Sequence, residues 1–69
     1  MQTESGMTLV IEFFDRNQKL AAERCLGTVD DALKSARAGL AVHRARHALV
    51  RDLDRGGLVV EMVHCDVLP

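Results

Sequence analysis

A chain of 69 residues makes one domain at most, and a domain of this size buries only about 60% of the surface its unfolded chain exposes, so a partner chain would add to its stability. With 48% hydrophobic and 28% charged residues and a formal net charge of -1, the composition is that of a globular protein, not a disordered one, and carries no whole-molecule signal for a polyanion. No apolar run reaches the roughly 20 residues a membrane span needs. The first six residues have neither the basic start nor the apolar core of a signal peptide, so the expected location is cytoplasmic.

Residues 1–6 read as a frayed tail and 7–69 as a single domain. Residues 7–14 are rich in β-branched and aromatic side chains and read as a strand; 19–26 read as a second. Between them Asp15, Arg16 and Asn17 form a turn in which Asp caps, Arg takes the right-handed region and Asn accepts positive φ. Asp54, Arg55 and Gly56 repeat that chemistry between strands at 48–53 and 58–64.

The middle of the chain predicts a helix. Thr28 is a good N-cap, Asp31 stands where a capping box places its acidic partner, and Asp30 and Asp31 both favour the positive end of the helix dipole. Val29, Ala32, Leu33, Ala36 and Leu40 recur at spacings that make one apolar stripe, with Gly39 beside it, so the helix can lie close against a sheet. Helical spacing runs on through Ala41, Ala45, Ala48 and Leu49, which allows one long helix to about Arg51; the strand-like run from Ala48 favours a stop near Val42. The expected fold is α+β: a small, mostly antiparallel sheet of four strands in the order β-β-α-β-β along the chain, with one helix on one face.

Alternation along the strands turns Leu9, Ile11 and Phe13 towards that helix. The other face keeps apolar groups of its own, drawn from Val10, Phe14, Leu49, Val59 and Val63, and an uncovered apolar face marks an interaction site. A homodimer through sheet faces or edges is the simplest expectation, and another protein partner serves the same purpose.

No catalytic or cofactor signature accompanies this. Cys25, His43, His47, His64 and Cys65 are metal-competent, but none has the paired spacing of a zinc site, and consecutive His64 and Cys65 point to opposite faces of a strand, so no metal site is expected. A Cys25–Cys65 disulfide conflicts with a reducing cytosol. Cys25 with a histidine, or Ser35 with His43, lacks a nucleophile elbow, and no glycine series cradles a phosphate, so neither enzyme activity nor a cofactor is expected. Lys34, Arg37, Arg44 and Arg46 concentrate positive charge in the central third and supply the alternative, a nucleic-acid or other anion-binding patch. With neither Trp nor Tyr in the chain, stacking platforms for single strands are few.

The run Gly27-Thr28-Val29-Asp30-Asp31-Ala32-Leu33, followed by Ala36 and Leu40, resembles the strand-to-helix junction of the antitoxin component of HicAB-type toxin-antitoxin modules, although the aromatic strand and Pro-containing loop of that family are missing ahead of the helix. That resemblance implies neutralisation of a small ribonuclease toxin by binding it. More broadly, the hairpin-helix-hairpin pattern is similar to short bacterial proteins of unknown function.

Overall fold

The computed structural model describes residues 7–65; the expected tail at 1–6 and the last four residues lie outside them. Strand β1 (Met7–Asp15) pairs with β2 (Gln18–Gly27), helix α1 (Val29–Val42) follows, and β3 (His47–Asp52) and β4 (Leu58–His64) form a second hairpin. All pairings are antiparallel and the sheet order is β2-β1-β3-β4, so the two hairpins join along β1 and β3 and the four-stranded α+β expectation holds.

The core lies between α1 and the central strands. Leu9, Ile11 and Phe13 on β1 and Ala48 and Val50 on β3 are fully buried, as the alternation requires, and they meet Ala32, Ala36, Gly39 and Leu40 of the helix stripe. Gly39 sits over Phe13 so closely that a Cβ there would collide with the far end of the ring. The edge strands contribute less: β4 buries Val63, and β2 only half-buries Ala21 and Cys25.

Both helix ends have identifiable causes. At the start, the Asp31 N–H donates to Thr28 Oγ1 at 3.1 Å and the Thr28 N–H donates to Asp31 Oδ2 at 3.0 Å, a complete capping box. The Thr28 N–H first, and then the Thr28 hydroxyl, which donates to the same Oδ2 at 3.0 Å, hold the Asp31 carboxyl below its ordinary range. At the end, the Ala45 N–H donates to the Leu40 carbonyl at 2.9 Å and the Arg44 N–H to that of Ala41 at 3.3 Å, with Arg44 at φ 55°. This is a Schellman stop, in which buried Ala45 packs back on the last turn and Arg44 occupies the left-handed position usually given to glycine. The helix therefore ends at Val42, and the run from 45 onward leaves it.

The two turns are not repeats of one another. In the first, Asp15 still pairs with Gln18, leaving a two-residue loop in which positive φ falls on Arg16 (60°) and not on Asn17. A bulge at Leu20 follows, between the pairs Phe13–Ala21 and Phe14–Lys19. The second is five residues long and opens with a single 3-10 turn, Leu53–Arg55. There Asp52, not Asp54, caps: its Oδ1 accepts from the Asp54 N–H at 3.0 Å, while Gly56 takes φ 70°. Asp54 instead accepts from the Thr8 N–H at 3.2 Å, which ties the loop to β1.

Candidate interaction surface

Helix α1 covers one face of the sheet and leaves the other open. On the open face β1 presents Val10, Glu12 and Phe14, and β3 presents His47, Leu49 and Arg51 directly beside them. Val10, Phe14 and Leu49 are half-buried there, where the alternation placed them.

The fourth strand departs from the expected alternation. Between the pairs Arg51–Val59 and Val50–Glu61 one extra residue, Val60, is inserted as a β-bulge, which reverses the phase of everything after it. Val59 stays on the open face and is 40% exposed, but Val63 turns to the helix side, where it is buried opposite Ala48. Val63 is therefore a core residue, not an interface residue. Met62, opposite Leu49 and 51% exposed, takes the place expected of it, and His64 follows it opposite His47. With apolar residues at both even and odd positions of 58–63, the sequence gives no sign of the bulge.

The open face is mixed in character. At its centre the Glu12 carboxylate accepts from Arg51 Nε at 2.7 Å and from Lys19 Nζ at 3.1 Å. The Arg51 hydrogen bond is the main reason the Glu12 carboxyl lies below its ordinary range; partial burial opposes it and Lys19 adds to it. Arg51 also donates to the Gly57 carbonyl at 2.9 Å, so its guanidinium bridges β1 to the second loop. Towards one end of the face three rings run across three strands. Phe14 and His47 are stacked with centroids 5.2 Å apart and planes 6° apart, and His64 lies 5.9 Å beyond His47.

The four expected anion-binding cations do not converge. Arg46 Nε is engaged by Asp15 at 2.9 Å, and Lys34 lies on the exposed side of α1. Only Arg37 and Arg44 come together. They line a groove of about 550 Å³ between the C-terminal half of α1 and the end of β4, with Leu40, Ala41, Ala45 and Val63 as its apolar wall. Neither of these two arginines forms an ion pair among the described residues.

The remaining reactive side chains are dispersed. Cys25 lies on edge strand β2 and Cys65 follows edge strand β4, three inter-strand spacings or about 14 Å away across the sheet and at the opposite end along the strands, well beyond what a disulfide spans. His43 bonds Glu23 at 2.7 Å and packs on Phe13 with centroids 4.6 Å apart, which anchors the helix end to β2. Among the described residues no three His, Cys, Asp or Glu side chains come together as a metal site within one chain, and no helix is long and apolar enough to cross a membrane.

Comparison with known proteins adds no neighbour: no family model matches the chain, and it has no match among curated proteins or solved structures.

Proposed function

We propose that this chain is a small, non-enzymatic interaction module of the cytoplasm that self-associates through its open sheet face, a homodimer being the simplest assembly. The observation that carries this reading is one-sided coverage: Phe14, Leu49, Val59 and Met62 share a face on which α1 does not pack. Four strands at ~4.8 Å spacing and about six residues each at ~3.3 Å give a footprint on the order of 400 Å² per copy. That is the size of a weak, concentration-dependent contact and not of an obligate one. Lys19, Arg24 and Arg51 outnumber Glu12 on this face, so two copies repel and added salt tightens the dimer.

Sedimentation of the untagged protein across a concentration series at two salt concentrations tests this reading. The expected result is a mass that doubles with concentration, more readily at high salt, and that stays monomeric in Leu49→Asp. A wild-type monomer throughout the series refutes self-association, and a different protein then becomes the partner to seek.

A second reading rests on the groove. Arg37 and Arg44 beside an apolar wall suit an anion, nucleic acid included, and predict binding that weakens with salt and on Arg37→Gln with Arg44→Gln. No retention of RNA or DNA at low salt removes it for nucleic acid. An antitoxin role adds a ribonuclease partner to either reading and is tested by inhibition of such an enzyme.

A further inference from the structure

We propose that His47 and His64 form half of a binding site for a divalent first-row metal ion of the zinc class, completed by the same two residues of a second copy across the open face. The inference rests on the face-to-face self-association proposed above.

The backbone register brings the two imidazoles together. His47 and His64 are direct partners on β3 and β4. The bond from the Cys65 N–H to the Arg46 carbonyl, 2.8 Å, marks the adjacent pair 46/65 as hydrogen-bonded, so 47/64 is the non-hydrogen-bonded kind, in which side chains approach most closely. The ring centroids are 5.9 Å apart. Two imidazoles on one tetrahedral zinc, each nitrogen ~2.05 Å from the metal, hold their centroids about 5 Å apart. A small rotation of exposed His64 closes that difference, while the stack on Phe14 holds His47 in place.

The surroundings permit a cation. Arg51 lies four residues along β3 from His47, and Arg24, opposite Val10, is at the same far end of the face, roughly 13 Å away and beyond the screening length at physiological salt. Lys19, opposite Phe14, is nearer and is engaged by Glu12, while Arg37 and Arg44 line the groove that His64 also borders, on the helix side of β4. Asp15 and Arg46, also at the near end, neutralise each other at 2.9 Å.

One chain brings these two imidazoles together, and among the described residues no group of three or more His, Cys, Asp and Glu forms. Facing sheets pack about 10 Å apart, so a metal midway stands ~5 Å above each sheet, within reach of an imidazole nitrogen from either side. A two-fold axis through that point yields four nitrogen ligands, a closed tetrahedral set.

The test is zinc titration of the untagged protein by calorimetry, with sedimentation in parallel and magnesium, which prefers oxygen ligands, as control. The expected result is one zinc per two chains, a mass that doubles on zinc addition and not on magnesium, and a loss in His64→Ala greater than the roughly 10- to 100-fold that removing an outer-shell partner costs. His47→Gln is a second variant with the same expectation. Leu49→Asp, which keeps both histidines, is expected to bind zinc more weakly, one per chain, and to remain monomeric. Saturation of the wild type at one zinc per monomer, or unchanged affinity in His64→Ala, overturns the proposal. A dimer indifferent to zinc removes the metal site and leaves self-association standing; a monomer with and without zinc removes both.

Discussion

Replacing Gly39 with alanine sets two well-understood effects against each other, and the structure decides the sign. In a helix interior the change gains about 0.5–1 kcal/mol from reduced backbone entropy. At this position, however, the new Cβ meets the Phe13 ring, with one ring carbon at 2.5 Å and another at 3.2 Å against an ordinary contact of ~3.5–4.0 Å. Phe13 is fully buried and also packs on His43, one turn further along the same helix, so it cannot swing into solvent. The helix must therefore lift by roughly 1 Å, weakening the contacts of Ala32 and Ala36 at the same time. Overpacking of this kind costs about 1–3 kcal/mol, and the upper part of that range applies because the obstruction is a rigid ring. The net expectation is a destabilisation of about 1–2 kcal/mol, or roughly 5–15 °C in Tm for a domain this small. Thermal unfolding followed by circular dichroism at fixed protein concentration measures it. Ala38→Gly, on the exposed side of the same helix, isolates the propensity effect and is expected to cost about 1 kcal/mol. A Gly39→Ala Tm equal to or above the wild type would refute the packing argument.

Further substitutions test the turns and the charged centre. Arg44→Gly places the preferred residue at the left-handed stop of α1 and should raise stability by about 0.5–1 kcal/mol, whereas Gly56→Ala introduces the same strain at φ 70° and should lower it by about 1 kcal/mol; urea unfolding reads both. Thr28→Ala removes the capping box and is expected to cost about 1 kcal/mol in the same assay. Glu12 and Asp31 both have carboxyls depressed by their partners, so their contribution is complete above the unfolded-state values, near pH 4, and is lost as pH falls through the folded ones. Tm measured from pH 7 down to pH 3 should fall at the acid end, and Glu12→Gln should flatten that fall while leaving a folded protein.

The sequence was most legible where a feature is local. Thr28 and Asp31 are three residues apart and cap each other, and the inward set Leu9, Ile11 and Phe13 follows from uninterrupted alternation. The end of α1 was ambiguous for a specific reason: its left-handed stop is filled by Arg44, so the glycine that usually marks the position is missing. Val63 departs from the alternation because apolar residues stand at both even and odd positions around Val60, so the bulge there leaves no mark in the sequence, while Val10, Phe14, Leu49 and Val59 lie on the open face as the alternation places them. The proximity of His47 and His64 depends on the register of the second hairpin and on no motif. The four basic residues share a stretch of chain but not a site, since Asp15 draws Arg46 away and only Arg37 and Arg44 reach the groove.

The seam between β1 and β3 carries a kinetic consequence. Each hairpin closes over a few residues of loop, but the Leu9, Ile11 and Phe13 strand can meet Ala48 and Val50 only after α1 has been looped across, so this is the pairing with the greatest loss of chain freedom before any reward. Formation of the seam is expected to set the folding rate: shortening Val50 to alanine should slow refolding, whereas changes in the tight turn at Arg16 and Asn17 should act mainly on how fast the first hairpin forms.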